Sequence, residues 1–276
     1  MRPRLSLIAN DPTGVFQTSV IRGALEVARA SSLDLFVCEP GPGGDVDLES
    51  ARASAGTLVL ASVLDDAALG VLSGGGHPVS LISHECPDPA LPAVLHDNRQ
   101  GMRQLLDHLV LDCGRFSPVF VRGEPSQLDA IEREQAFRES LMRHALPIRE
   151  DRFIRGDFEP AIAAASIRAH LESGARFDSV VVTDYLMAIS ILSELERFGL
   201  AVPEEVTVVA FGDGPEAAAA GLSTVAADVV ELGRRGARQL VAQLDGDRKG
   251  TPLRGRTLLS TTLVERATSL VGIAPD

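Results

Sequence analysis

An α/β fold made of two similar lobes with parallel sheets is what this chain predicts, and three observations predict it. Short apolar runs suited to strands alternate with amphipathic helical stretches from residue 5 to residue 264. The alternation halts once, at Val94-Leu95-His96-Asp97-Asn98-Arg99-Gln100-Gly101-Met102, and then restarts. The chain has 276 residues, 45% of them hydrophobic and 23% charged, enough for two cores and too apolar for a disordered segment. Alternating strands and helices imply right-handed β-α-β units, and short apolar strands imply helices on both faces.

The elements follow in order. A strand over 5–9 leads through the loop Asn10 to Gly14 into a helix over 15–30. A second strand (33–38) precedes a glycine-rich loop at Gly41, Gly43 and Gly44 and a short helix near 48–55. Strands over 57–61, 79–82 and 93–95 enclose a helix over 65–72; Gly74-Gly75-Gly76 before Pro78 reads as a turn. An amphipathic helix over 101–111 opens the second run. A strand (119–122) and a helix (128–144) follow, then a short strand (152–155). The next helix (160–173) has Pro160 at its start and Gly174 at its end. A strand (179–182), a helix (185–198) closed by Gly199, a strand (206–211), a helix (229–244) and a strand (258–264) complete the pattern. The predicted lobes are 1–96 with 228–248, and 97–227 with 252–276.

The totals exclude several classes. A formal charge of −12 argues against a free-standing nucleic-acid binder, which would show a basic face. Three cysteines, Cys38, Cys86 and Cys113, lie far apart without a CxxC pair and read as reduced thiols. His84 and Cys86 have no second pair to complete a zinc site, so no metal and no cofactor is expected. Leu5 follows Met1-Arg2-Pro3-Arg4 directly, leaving no apolar leader, and no run reaches the length of a membrane span. The expected location is the cytoplasm. No GxSxG, GxxxxGK[ST], HExxH or post-strand GxGxxG occurs, which points away from an enzyme and towards binding.

In open α/β sheets, ligands lie beyond the carboxyl ends of the strands. That rule selects the loops 10–16, 62–65, 83–87, 123–126, 156–158, 183–185 and 212–215. Arg133 is either a ligand donor or one half of a surface pair with Asp129, one turn back. Phe158 is either a core plug or a platform for an apolar ligand face. Asp184 caps the following helix or accepts from a ligand. Asp213, in Phe211-Gly212-Asp213-Gly214, is a turn residue or an acceptor for hydroxyls.

A set of short motifs in this order resembles the effector-binding core of LacI/GalR-type transcription regulators. They are Asp97-Asn98 with Gly101 and His108-Leu109; Arg133 with Ala136-Phe137; Gly156-Asp157-Phe158; and Asp184 with Leu186-Met187-Ala188. Gly199-Leu200, Val202-Pro203-Glu204, Val208-Val209-Ala210-Phe211 and Leu222-Ser223-Thr224-Val225 continue the series. Glu231-Leu232-Gly233-Arg234-Arg235 and Leu263 with Arg266 end it. The resemblance runs from Leu5 to about Ser269. It implies the type I periplasmic-binding-protein architecture, with three crossovers between lobes at His96 to Arg99, Ala226 to Asp228 and near Gly246 to Pro252. It implies a small polar effector in the interlobe cleft, coupled to lobe closure and to the geometry of a homodimer that uses the helices from Val15 and Asp65. Arg133 matches the arginine that binds ligand hydroxyls or carboxylates, Phe158 the aromatic on the ligand, and Asp184 the aspartate of an Asn-Asp pair. Phe16 matches the apolar end of the first loop, next to Asp11.

The departures matter as much. Thr183 replaces the asparagine of that pair, Gly212 the first aspartate of a Phe-Asp-Asp run, Ala227 a glutamine, and Ser83 an acid after the fourth strand. Fewer polar groups for sugar hydroxyls argue against an ordinary hexose. The candidate ligand set is therefore Asp11, Phe16, Ser83, Arg133, Phe158, Thr183, Asp184 and Asp213. The family's DNA-reading head would precede the first strand, where this chain has no room for it; DNA contact is expected only through such a head. Two other readings share these features: a sensor module of a signalling protein with another output, and a solute-binding protein of a transporter.

Overall fold

The computed structural model describes residues 2–41, 44–88, 90–246 and 255–270. Its strands are β1 (Arg4–Ile8), β2 (Asp34–Cys38), β3 (Gly56–Leu60), β4 (Val79–Ile82), β5 (Ala93–His96) and β6 (Pro118–Val121). The series continues with β7 (Phe153–Ile154), β8 (Ser179–Val182), β9 (Thr207–Phe211), β10 (Ser223–Ala226), β11 (Arg256–Leu259) and β12 (Thr262–Val264). The helices are α1 (Val15–Ala30), α2 (Leu48–Arg52), α3 (Asp66–Ser73), α4 (Asn98–Asp107) and α5 (Leu128–Arg143). They continue with α6 (Pro160–Glu172), α7 (Tyr185–Arg197), α8 (Pro215–Ala219) and α9 (Val229–Gly246). The chain divides into two compact units: Met1–His96 with Asp228–Leu259, and Asp97–Ala227 with Ser260–Asp276.

The first unit holds a six-stranded sheet in the order β11-β5-β4-β3-β1-β2, every pair parallel. Leu5, Leu7, Leu58, Leu60, Ile82 and Val94 fill the layer between that sheet and the helices α1 and α9. Helix α1 buries Val20, Gly23, Ala24 and Ala28, one face at helical spacing. Two glycines let α1 and α9 touch backbone to backbone. A Cβ on Gly23 would lie 2.0 Å from the Val230 carbonyl oxygen, and one on Gly233 2.1 Å from that of Val20. The last helix is thereby fixed to the first.

The second unit repeats the plan, in the order β12-β10-β9-β8-β6-β7. Among the described residues only β12 runs antiparallel, against β10. One side of the sheet carries α6 and α7 over Val119, Val121, Val180, Val182 and Val208. The other carries α4 and α5 over Phe120, Val181, Val209 and Phe211. Phe120, Phe137 and Phe153 meet at centroid distances of 4.5 to 5.8 Å.

Four local expectations change. The helix read from residue 101 starts at Asn98, because the Asp97 carboxylate accepts the Gln100 N–H at 2.8 Å and caps it. It continues past Asp107 as a π-helical turn, His108–Asp112. The strand read over 258–264 is two strands in two sheets. Between them the Thr261 N–H leaves any ladder and donates to Gln100 Oε1 at 2.9 Å. Residues 256–259 therefore belong to the first unit; the crossover expected near Gly246 to Pro252 falls on residues 247–252, which lie outside the described residues. Strand β10 and helix α8 were not foreseen: Ser223 and Thr224 are polar yet fully buried, so no apolar run marks them. Among the described residues no helix is long and apolar enough to cross a membrane.

Candidate functional site

The carboxyl ends of parallel strands open into loops free of the core, and left-handed backbone gathers there. Asp11 follows β1, Ala61 and Ser62 follow β3, Ser83 follows β4, and Asp157 and Phe158 follow β7, all with positive φ. Such conformations cost of the order of 1–3 kcal/mol for a side-chain-bearing residue, and they cluster where loops serve ligands.

On the second unit this edge is organised around Arg133, in the second turn of α5. Arg133 is 7% exposed, so it is not a solvated surface pair, although the Asp129 carboxylate does lie 3.7 Å from its Nη2. Its Nε donates to Asn98 Oδ1 at 2.8 Å and its Nη1 to the Thr183 carbonyl at 2.8 Å. The guanidinium stacks 3.8 Å from the centre of the Phe211 ring. Asn98 Nδ2 donates to Asp129 Oδ1 and to Glu132 Oε2, each at 2.8 Å. Burial pulls the Arg133 guanidinium below its ordinary range, while Asp129, Asp184 and Glu132 pull it back.

Asp184 does cap α7: its Oδ1 accepts the Leu186 N–H at 2.8 Å and the Met187 N–H at 3.3 Å. Burial nevertheless raises its carboxyl, against those bonds and the Arg133 charge. Thr183, in place of an asparagine, is fully buried, and its hydroxyl donates to the Val121 carbonyl at 2.9 Å. That bond uses the hydroxyl's one proton within the sheet. Asp213 is likewise taken. Both its oxygens accept from the Arg266 fork, at 2.9 and 2.8 Å, and Arg266 also donates to the Leu222 carbonyl at 2.7 Å. Burial would raise the Asp213 carboxyl, but the bonds and charge of Arg266 outweigh it and hold it low. Thr183 and Asp213 are thus both hydrogen-bonded within the second unit.

Phe158 plugs the core at this edge. The half-buried ring packs against the second unit's core and lies across Gly123, where a Cβ would stand 2.3 Å from its Cζ. Tyr185 stands beside Gly212. A Cβ at Gly212 would lie 3.2 Å from its ring, and its hydroxyl is 3.5 Å from Glu216 Oε2. Burial, then Glu216 and Asp184, push its phenol up to about 12. The other flank of α5 holds a cavity of about 630 Å³ lined by Gly123, Pro125, Ile131, Gln135 and Asp157 among others.

The first unit presents a different edge. Asp11 is exposed and accepts the Thr13 N–H at 3.3 Å; Phe16 is half-buried and packs into that unit's core. Ser83 is 2% exposed, and its hydroxyl has no hydrogen-bond partner among the described residues. Nor, among those residues, has the buried Nδ1 of the neighbouring His84. Burial pulls His84 below the ordinary imidazole value, with Asp66 opposing, so the ring is neutral near pH 7.

Arg133, Thr183 and Asp184 thus come together with three residues the sequence did not single out as site groups: Asn98, Asp129 and Glu132. Asn98 was visible only as a crossover residue, and Asp129 only as the partner in a surface pair. Arg266 was visible as a motif without a partner.

A family model described as a periplasmic binding protein-like domain matches residues 110–269. The HTH-type transcriptional regulator AscG of Escherichia coli is 27% identical over 179 residues, covering 64% of this chain and 53% of that protein. The HTH-type transcriptional regulator CelR of Thermobifida fusca is 29% identical over 209 residues, covering 75% and 58%. The chain thus spans less than two thirds of the length of either relative. The structure of the Lac repressor bound to ONPG superposes with a TM-score of 0.84 at 17% identity, covering 97% of this chain and 82% of that one. The resemblance to the LacI/GalR core and the expected α/β architecture are both borne out.

Proposed function

The chain belongs to the periplasmic binding protein-like domain family, and we propose that it is the effector-sensing part of a LacI-type transcription regulator, binding a small polar molecule without transforming it. The observation that carries this reading is the buried Arg133 at the carboxyl edge of the second sheet. Its donors are fixed in place by Asn98 and the Thr183 carbonyl, and Asp184 and Phe158 lie in neighbouring loops of the same edge. Arg133 acts as the organiser of this edge, Asp184 as an acceptor and Phe158 as the apolar face. The same reading gives Asp11, Phe16 and Ser83 a share in effector contact. That sequence relatives are named as transcriptional regulators supports the assignment. The −12 charge speaks against duplex contact by these residues. A symmetric homodimer remains part of the proposal. Val15 and Val71 are more than half exposed on α1 and α3, which suits such a contact, and sedimentation at micromolar concentration tests it.

Hydrogen exchange on the whole chain, with and without each member of a panel of neutral mono- and disaccharides and polyols, tests the site. A binder that raises the melting temperature should slow exchange at 122–134 and 183–187. Protection confined to other segments would remove the assignment of this edge.

A further inference from the structure

Helix α5 has a second flank that the effector reading does not use. Arg133 lies on one side; Ala130, Ile131, Glu134, Gln135 and Arg138 border the cavity of about 630 Å³ on the other. Every residue lining that cavity falls between Arg122 and Asp157, inside the second unit, and Arg133 is not one of them. Small-molecule sites have this range of size and this make-up, mostly apolar walls with a few placed polar groups.

One wall is apolar. Pro125, Ala130 and Ile131 form it, and Ile131 is 52% exposed. A lone isoleucine on a surface is ordinary; one that lines a concavity beside proline and alanine is an unfilled contact. A second wall is fixed and already neutral. Glu134 accepts from Arg122 Nε at 2.8 Å and from Arg138 Nη2 at 2.7 Å. Both guanidiniums lie over the Phe153 ring, at 5.2 and 3.9 Å from its centre. Glu150 supplies the second negative charge, with an oxygen 2.9 Å from Arg138 Nη2 and 3.6 Å from Arg122 Nη2. Two arginines thus meet two carboxylates.

Arg155 differs. Its Nε donates to Asp157, while its two Nη nitrogens have no partner among the described residues and its side chain is 72% exposed. A planar donor fork is left open at the rim of the cavity. Such a fork matches a carboxylate through two parallel N–H···O bonds. A doubly charged phosphate would meet Glu134 and Asp157 with only this one fork to answer it, so a single negative charge is favoured.

We infer that this flank of α5 is a second binding site, apart from the Arg133 edge, and that it takes a small amphipathic monocarboxylate. The carboxylate sits on the Arg155 fork, and the hydrocarbon chain lies along Pro125, Ala130 and Ile131.

Protein-observed NMR titration of the whole chain with hexanoate, hexanamide and hexyl phosphate tests the site. Hexanoate should shift amides within 123–135 and 155–157 and bind about fivefold tighter than hexanamide, and hexyl phosphate should not exceed it. From butanoate to hexanoate, each added methylene should tighten binding about threefold. Arg155→Gln, at an exposed side chain, should remove the advantage of hexanoate over hexanamide and keep the dependence on chain length. Ile131→Ser should do the reverse. Equal binding of the amide, tighter binding of the phosphate, or a carboxylate preference that survives Arg155→Gln overturns the inference. So do shifts confined to other segments, or none with hexanoate. Each of these outcomes leaves the sensing reading where it stands, since that reading concerns the Arg133 edge.

Discussion

The two units share a topology but finish their carboxyl edges in opposite ways. In the second, each of the named side chains already has a hydrogen-bond partner. Arg133 is tied to Asn98 and Thr183, Thr183 to Val121, Asp213 to Arg266, and Asp184 to the first turn of α7. In the first, Ser83 and His84 are buried with polar atoms that have no partner among the described residues, and Asp11, Ala61, Ser62 and Ser83 hold left-handed backbone. One edge is fixed in advance by its own hydrogen bonds; the other keeps unsatisfied capacity, while left-handed backbone occurs at both, in Asp157 and Phe158 of the second unit as well. The lesson is that a shared fold dictates where a site lies and leaves open how much of it is prepaid by internal contacts.

The largest test of that contrast is Arg133→Ala. It strips Asn98 and Thr183 of a donor and leaves Asp129 and Asp184 without their counter-charge, so the cost should be about 3–5 kcal/mol, as when one partner of a buried pair is removed. A solvated surface pair with Asp129 would predict a loss of at most about 1 kcal/mol; the burial of Arg133 reverses that expectation. Urea unfolding measures it, and a loss under 1 kcal/mol would mean the network is not holding the second edge.

A middle-sized effect concerns acid. The folded-state value of His84 lies below its unfolded value of 6.5, so its contribution is present above pH 6.5 and is lost as pH falls through the depressed value. Glu194, drawn down to about 2 chiefly by its bond to Arg168, contributes above its ordinary 4.5 and loses that only as pH falls towards 2. Acidification just below pH 6.5 should therefore loosen the surroundings of His84 in the first unit while the Arg168–Glu194 pair persists. Hydrogen exchange read separately for residues 79–96 and 160–197 follows this. In His84→Gln the early loss around 79–96 should shrink; an unchanged profile would take the effect away from this ring.

The smallest effect is expected at Ser83→Ala. Removing a buried hydroxyl that has no partner should leave stability unchanged or raise it by up to about 1 kcal/mol. The positive φ remains, which limits the gain. Thermal melting checks it; a clear loss would show that the hydroxyl is satisfied and that the two edges are less different than described.

How legible was all this in the sequence? Helix α1 and strands β4 and β8 could be read to the residue because their apolar patterns are bounded sharply by glycine, proline or acidic residues. Strand β10 could not, since its buried threonine and serine carry no apolar signal. The site divides the same way. Arg133 and Asp184 were locatable because a post-strand position is a local property. Their roles were not, because a hydrogen-bond partner is a long-range one: Thr183 finds Val121 across 62 positions, and Asp213 finds Arg266 across 53. The pairing of Arg133 with Asn98 spans 35 and crosses the very joint where the two runs of elements meet.

The chain has one tyrosine and no tryptophan, and the tyrosine is Tyr185, packed against Gly212 and Gly214 beside Asp184. Near-ultraviolet emission excited above the phenylalanine band therefore comes from a single ring at the edge of the second sheet. A neighbouring carboxylate is an effective quencher of phenol fluorescence, and Glu216 lies 3.5 Å from that hydroxyl. The protein is thus its own label-free optical probe: any molecule that rearranges the Asp184, Gly212 and Glu216 loops should alter the brightness of one identifiable residue, and the unmodified chain can be titrated in a fluorimeter.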